Sequence, residues 1–263
     1  MIKALILDID DTLLNAQGQL TQATEAAIAE AQANDLQVIL ATARGYRSTA
    51  PIHRQLCLST PAVCHAGAMV YDFAQEKPIK TWPLGPVIGR ELAKLAAEHN
   101  VRISAYVDHE VWFNQMPEQP LRKDWVVKSD LAQALAGKSV LEMVVVGEAA
   151  VNTMEQAILA SQLASQVAMG RWQEQGKTWL FIAQAGIDKA RALDWLLPHL
   201  GLSWQGAAAC GDGTADLGML QRARWGLASP LSDPLVKKAA HAPFTLDPEE
   251  PIASLVQEIL KRR

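Results

Sequence analysis

Three carboxylates follow a short apolar run near the start of the chain. Residues Ala4 to Leu7 are apolar, and Asp8, Asp10 and Asp11 come directly after them. An apolar run of this length predicts a strand buried on both faces, as in a parallel sheet. Open α/β sheets bind their ligands at the carboxyl ends of such strands. The chain is therefore expected to form an α/β fold with a functional site at this point.

The acidic loop after this run predicts a bound cation. Carboxylates this close together raise one another's pKa unless a cation holds them. Oxygen ligands suit Mg²⁺, which keeps part of its water shell and often bridges to a substrate phosphate. In an extended segment Asp8 and Asp10 project to the same side, so one could attack while the other transfers protons. The alternative is a solvated acidic turn, and the rest of the chain decides between the two.

Composition and charge exclude several classes of protein. The chain has 263 residues, 49% of them hydrophobic and 20% charged, as in soluble globular proteins. A formal net charge of -4 argues against a nucleic-acid partner, and no apolar run is long enough to predict a membrane span. Three cysteines without C-x-x-C spacing argue against disulfides and zinc. With no signal-peptide pattern at the start, we expect a cytoplasmic location and no membrane partner.

The order of strands and helices predicts a Rossmann-like parallel-sheet core with right-handed crossovers. Helical patterns separate the apolar runs, and one helix is expected from Thr21 to Asn34. Pro51 is expected in the first turn of the next helix. The predicted core strands are residues 4–7, 36–41, 62–64, 207–210 and 225–228.

An α+β insert interrupts the alternating pattern. Pro78, Pro83 and Pro86 suggest a linker, after which short strands and helices mix. We therefore predict a core of residues 1–82 and 185–263 and an inserted cap of residues 83–184. Tryptophans are concentrated in the insert, where core packing is the general expectation. Trp112 and Trp172, near polar and glycine-rich stretches, are the better candidates for a substrate-facing rim.

Polar groups follow several predicted strands and would meet at one edge of the sheet. Together they supply what phosphoryl transfer requires: a nucleophile, an acid/base, phosphate-binding groups and a cation site. Taken singly, Thr42 could be a helix cap, Lys189 a solvated residue and Gly-Asp-Gly an ordinary turn. Lys189 opens a helix, where a cation is disfavoured unless it faces an anion. The groups are Asp8 with Asp10, Thr42, Lys189, and Asp212 with Asp216.

In their order and placement these segments resemble the four motifs of the haloacid dehalogenase-like (HAD) hydrolases. The resemblance extends over the whole chain. The large insert, Thr-Ala-Arg44 and the Ala66-Gly67-Ala68 turn resemble the Cof-like branch of capped sugar-phosphate phosphatases. The motifs are Asp8-Ile-Asp10-Asp11-Thr12, Thr42 after a buried strand, Lys189 at a helix start, and Gly211-Asp212-Gly213-Thr214-Ala215-Asp216.

The resemblance implies a role for each motif residue. It makes Asp8 the nucleophile and Asp10 the acid/base. It assigns Mg²⁺ to Asp8, the backbone carbonyl of Asp10, Asp212 and Asp216, the last through the metal's water shell. It assigns substrate binding to Thr42 and Lys189, which hold the phosphoryl group, and to Arg44, which faces the cap.

Three positions depart from the pattern of the Cof-like branch. Asp11 stands where Gly is usual, and Ala66 and Ala215 stand where Asn is usual. Each hydrogen bond lost with an asparagine is worth about 0.5–1.5 kcal/mol, so a weakened site is expected. None of the carboxylates that the resemblance makes essential is missing.

The sequence therefore predicts a Mg²⁺-dependent phosphatase that hydrolyses a small phosphate monoester, a sugar phosphate or similar metabolite, through an aspartyl-phosphate. We expect a monomer or a weak homodimer. One alternative is a phospho-metabolite-binding protein with little turnover. Another is a receiver domain, which is much shorter and carries its aspartate after the third strand. The cap residues considered for specificity are Trp112, Arg122, Arg171 and Trp172.

Overall fold

The computed structural model describes residues 1–174 and 176–262. Gln175 and Arg263, which fall within the predicted cap and core ranges, lie outside the described residues. The chain divides into a core unit, Met1–Lys80 with Asp188–Arg263, and an inserted unit, Thr81–Ile187. Among the described residues no helix is both long and apolar enough to cross a bilayer.

Strands and helices alternate around the parallel sheet of the core unit, β3 to β5 follow one another, and the two kinds of element mix in the inserted unit. The strands are β1 Ala4–Leu7, β2 Gln37–Leu40, β3 Ala62–Cys64, β4 Met69–Asp72, β5 Lys77–Thr81, β6 Ile103–Val107, β7 Glu110–Phe113, β8 Trp125–Val127, β9 Met143–Val146, β10 Val167–Glu174, β11 Lys177–Gln184, β12 Ala207–Gly211 and β13 Trp225–Ala228. The α-helices are α1 Gln22–Ala33, α2 Tyr46–Gln55, α3 Pro86–Glu98, α4 Leu131–Ala134, α5 Glu148–Leu159, α6 Lys189–His199, α7 Leu217–Arg222, α8 Pro234–Ala239 and α9 Pro251–Lys261.

The parallel sheet of the core unit runs in the order β13-β12-β1-β2. A parallel bridge between Ala41 and Val63 joins β2 to β3. The last residue of β1, Leu7, is in register with Cys210 on one side and Leu40 on the other. Because β1 is buried along its whole length, its apolar run is explained by neighbours on both faces. This sheet confirms the predicted α/β core.

Helix α1 forms where the sequence predicts it. The Thr21 hydroxyl accepts a hydrogen bond from the Thr24 amide at 3.1 Å, which satisfies an amide at the helix start. The helix ends at Asn34, whose amide bonds carbonyls of the last turn. Its buried residues include Ala27, Ile28 and Ala31, and the two small alanines let the helix pack closely.

The sequence prediction for Pro51 is wrong. Helix α2 already begins at Tyr46, so Pro51 lies inside the helix and not in its first turn. The helix starts earlier because extended Gly45 precedes it and the amides of Ser48 and Thr49 both bond the Gly45 carbonyl. A proline at this depth removes one backbone donor from the helix.

The predicted linker also contains regular structure. Pro78 lies in β5, and Pro86 is the first residue of α3. β5 is the outer strand of the sheet ordered β3-β4-β5. A proline is tolerated there because an edge strand has amides that need no partner in the sheet.

The inserted unit is built on a sheet ordered β10-β11-β9-β6-β7-β8. Neighbouring strands are antiparallel except β7 and β8. A hydrophobic core that includes residues of α3, α5, β6 and β9 covers one face. Trp112 packs against this core, and Trp172 stacks on Trp179 with ring centroids 5.5 Å apart. Both tryptophans considered for a rim are partly buried and contact residues of their own unit, and their place on a substrate-facing rim stays a prediction.

Candidate active site

Asp8 lies at the carboxyl end of β1, in the middle of the parallel sheet. Its backbone amide donates to the Cys210 carbonyl at 3.0 Å, so the pairing with β12 continues one residue beyond the strand. A short helical segment, Ile9–Leu13, then turns the chain away. The Asp8 side chain is 7% exposed. The fold thus holds a buried carboxylate at the edge where such sheets bind ligands.

Lys189 supplies a buried ammonium to this carboxylate. The side chain of Asp188 accepts a hydrogen bond from the Arg191 amide at 2.7 Å, so α6 begins at Lys189. Lys189 Nζ lies 2.6 Å from Asp8 Oδ1 and 2.6 Å from Asp216 Oδ1. The sequence predicted an anion opposite this lysine, and here the anions are carboxylates of the protein itself.

Gly67 allows α6 to approach the loop after β3. A Cβ atom at this position would lie 2.2 Å from the Asp188 carbonyl oxygen. Its φ of +110° is also one that glycine adopts most readily. A larger residue would push the start of α6, and with it Lys189, away from this loop.

Asp212 and Asp216 occupy the loop that follows β12. Asp216 Oδ2 accepts hydrogen bonds from the amides of Asp212 at 3.0 Å and Gly213 at 3.1 Å. A Cβ atom on Gly211 would lie 2.5 Å from Asp216 Cγ. Glycine at position 211 therefore makes room for the Asp216 carboxylate.

The three carboxylates form an acidic cluster, which comprises Asp8, Asp212 and Asp216. One oxygen of each lies within 4.8 Å of the others, close enough to share a metal ion. When all are ionised, the Lys189 ammonium leaves two negative charges unbalanced. This oxygen donor set and its excess charge fit a hard divalent cation.

Burial and crowding raise the pKa values of two carboxylates, Asp8 and Asp212. Burial, together with Asp216 and Asp212, raises the pKa of Asp8 well above its usual value, although Lys189 opposes the rise. Burial and Asp216 raise the pKa of Asp212 to about 6. Burial alone would lower the pKa of Lys189, but Asp216 and Asp8 raise it above its ordinary value. A cation in the cluster would favour the ionised carboxylates.

Thr42 stands just beyond the end of β2, at the same edge of the sheet as Asp8. Its side chain is buried, and its amide donates to the Val63 carbonyl at 2.9 Å. Its hydroxyl accepts from the Arg44 amide at 3.0 Å. Because Gly45 precedes α2, the alternative that Thr42 caps this helix is wrong.

Arg44 forms a two-point ion pair with Asp10. Arg44 Nε lies 2.8 Å from Asp10 Oδ2, and Nη2 lies 2.5 Å from Asp10 Oδ1. This bidentate arrangement is the strongest geometry for a guanidinium and a carboxylate. The sequence assigned these two residues separate roles and did not predict that they pair.

Several supporting residues were not singled out from the sequence. Thr12 donates to Asp212 Oδ1 at 3.2 Å, which links the loops after β1 and β12. Ser229 donates to the Asp11 carbonyl at 2.5 Å, and Ser232 donates to the Gly211 carbonyl at 3.1 Å. Ser229 directly follows β13, so a polar residue after a buried strand was the available signal.

Two of the unusual positions have a backbone explanation. Asp11 and Ala66 have φ values of 52° and 50°, in the left-handed region. Gly and Asn enter this region more easily than other residues. The residues usual in the Cof-like branch would therefore suit the backbone here better than Asp11 and Ala66 do.

Comparisons with known proteins agree with this architecture. Residues 5–255 match the family model of haloacid dehalogenase-like hydrolases. Pyridoxal phosphate phosphatase YbhA of Escherichia coli is 24% identical, covering 91% of this chain and 92% of the relative. The 5-amino-6-(5-phospho-D-ribitylamino)uracil phosphatase YitU of Bacillus subtilis is 25% identical, covering 97% and 96%. The solved HAD subclass IIB sugar phosphatase BT4131 has a TM-score of 0.81 at 20% identity, covering 98% of each chain.

The family model spans almost the whole chain, so the chain belongs to the haloacid dehalogenase-like hydrolases. The predicted family with its Cof-like branch and the predicted fold are confirmed. The predicted class of enzyme, a phosphoric monoester hydrolase, is confirmed as well.

Proposed function

We propose that this chain is a Mg²⁺-dependent phosphatase that hydrolyses a small phosphate monoester through an aspartyl-phosphate on Asp8. The observation that carries the proposal is the contact of Lys189 with Asp8 and Asp216 beside Asp212. This contact brings together a buried nucleophile, an ammonium that can bind phosphoryl oxygens and an acidic cluster with excess negative charge. Few other functions require all three in one place.

The metal role falls to Asp8, Asp212, Asp216 and the backbone carbonyl of Asp10. A divalent cation bound there would screen the anionic nucleophile from the anionic substrate. Both oxygens of Asp216 already accept hydrogen bonds, from Lys189 and from backbone amides. This supports a role for Asp216 in the water shell of the metal.

The chemical steps follow from the remaining groups. A carboxylate oxygen of Asp8 attacks phosphorus, and the bond to the ester oxygen breaks. Asp10 gives its proton to that leaving oxygen, then takes a proton from the water that attacks the aspartyl-phosphate, which restores Asp8. The Lys189 ammonium and the Thr42 hydroxyl stabilise the charge on the transferring phosphoryl oxygens.

We assign the choice of substrate to the inserted unit, which corresponds to the cap predicted at residues 83–184. The relatives act on pyridoxal phosphate, a ribitylaminouracil phosphate and a sugar phosphate, according to their names. All are small phosphate monoesters, which is the substrate class proposed here.

Of the specificity candidates, Arg171 bonds Asn152 and Glu155, and Arg122 lies over Trp125. The cytoplasmic location and the monomer or weak homodimer stay predictions.

A panel of phosphate esters tests the proposal. We expect hydrolysis with Mg²⁺, loss of activity with chelator, and loss in Asp8→Asn. The matched control is Asp35→Asn, which alters an exposed carboxylate after α1 and should leave turnover unchanged. Activity retained in Asp8→Asn would refute the nucleophile. Saturable binding of esters without turnover by the wild type would favour a phospho-metabolite-binding protein.

A further inference from the structure

The ion pair between Arg44 and Asp10 joins two loops at the sheet edge. One loop follows β1 and carries Asp10, and the other follows β2 and carries Arg44. The pair is partly exposed, with 27% of the Arg44 side chain and 50% of the Asp10 side chain accessible. Ordinary surface pairs contribute little, but a bidentate pair fixes orientation as well as charge.

The backbone of Arg44 is held from both sides. Its amide donates to the Thr42 hydroxyl at 3.0 Å, and its carbonyl accepts from the His65 amide at 2.9 Å. On the other loop, the carbonyl of Asp11, next to Asp10, accepts a hydrogen bond from Ser229. Both ends of the ion pair are therefore anchored to residues that lie just after core strands, which favours a defined geometry between them.

We propose that Arg44 is a positioning residue that orients Asp10 for proton transfer, and that it does not act as a direct ligand of the phosphoryl group. The inference rests on the proposed function of this site. Two bonds from one guanidinium hold both oxygens of Asp10, which restricts rotation of that carboxylate. Asp10 occupies Nε and Nη2, one of the two donor pairs with which a guanidinium can bind a phosphate in a bidentate manner, so this pair is not open to the phosphoryl group while the ion pair holds.

The kinetics of an Arg44 variant distinguish a positioning role from a substrate-binding role. A residue that acts through Asp10 should affect the turnover step and leave substrate binding almost unchanged. Charged hydrogen bonds of this kind correspond to an effect of about tenfold to a hundredfold. Once Asp10 can no longer transfer a proton, orienting its side chain should have no further benefit.

The test is a double-mutant cycle measured on a phosphate ester that the wild type hydrolyses. The variants are Arg44→Ala, Arg44→Lys, Asp10→Asn and the pair Arg44→Ala with Asp10→Asn. We expect Arg44→Ala to lower kcat about tenfold to a hundredfold with KM within about twofold, and Arg44→Lys to restore part of the loss. In the Asp10→Asn background, Arg44→Ala should lower kcat by less than about twofold. Arg54→Ala, an exposed arginine on α2, is the matched control and should behave as the wild type.

Two results would overturn the inference while the proposed function stands. One is a raised KM with unchanged kcat in Arg44→Ala, which indicates a substrate ligand. The other is an equal penalty with Asp10 and with Asn at position 10, which indicates action independent of Asp10. Urea unfolding of each variant checks that folding is intact, and Arg44→Lys serves if Arg44→Ala does not fold. Failure of the wild type to hydrolyse any ester would refute the proposed function itself, and the inference with it.

Discussion

Removing the buried ammonium of Lys189 should strongly destabilise the metal-free protein. Its side chain is 4% exposed, and its partners Asp8 and Asp216 are 7% and 2% exposed. Losing one partner of a buried ion pair leaves an uncompensated charge and costs about 3–5 kcal/mol. Lys189→Met keeps most of the side-chain volume, so the loss of charge dominates. Against a total stability of about 5–15 kcal/mol, this is a large fraction.

The assay is urea unfolding followed by circular dichroism, at pH 7.5 with chelator present. Lys261→Met is the matched control, because Lys261 Nζ lies 2.9 Å from Glu258 on α9 but is 67% exposed. The control should lose less than about 1 kcal/mol. At pH 5 the penalty of Lys189→Met should shrink, since burial raises the pKa of Asp8 and a proton can replace the lost charge. Equal losses in the two variants at pH 7.5 would refute the buried ion pair.

Three further predictions concern the backbone and the acidic cluster. Ala66→Gly should raise the melting temperature, because a left-handed φ costs a non-glycine residue about 1–2 kcal/mol. The control Ala68→Gly, at a φ of -68°, should lower the melting temperature. The opposite order of the two melting temperatures would contradict the backbone argument. With chelator, stability should fall by about 3 kcal/mol as pH rises from about 4 to 6, because the raised pKa of Asp212 makes the native state hold a proton that the unfolded state has lost. Asp212→Asn should reduce this fall of stability with pH in urea titrations. An unchanged pH dependence would show that Asp212 is not the group responsible. Gly211→Ala should displace Asp216 and weaken Mg²⁺ binding in calorimetry, whereas wild-type affinity would show that the 2.5 Å approach is not limiting.

The parallel core and the proximity of its acidic groups could be predicted from the sequence, because the register of parallel strands determines which residues lie at the same edge of the sheet. Leu7 pairs with Cys210 and Leu40, so residues just after these strands necessarily lie at one edge. A short apolar run followed by a carboxylate was therefore enough to predict the positions of Asp8 and Asp212. The position of Lys189 followed from its place at a helix start.

Contacts between side chains of different loops could not be predicted in the same way. The pairing of Arg44 with Asp10 depends on the exact course of two loops, which no local pattern encodes. Pro51 was misplaced because the start of α2 is decided by Gly45 and not by the proline. Core packing was the general expectation for the tryptophans of the insert, and strand alternation does place partly buried Trp112 against the core of its own unit. Its candidacy for a substrate-facing rim stays a prediction.

The most direct test of the account is to trap the covalent intermediate. The enzyme is mixed in excess with a phosphate ester and Mg²⁺, quenched in acid within one turnover, and digested for mass spectrometry. We expect one phosphoryl group on the peptide that contains Asp8, removable by hydroxylamine and absent from Asp8→Asn. Phosphate on another residue, or release of product with no phosphorylated peptide at any time point, would contradict it.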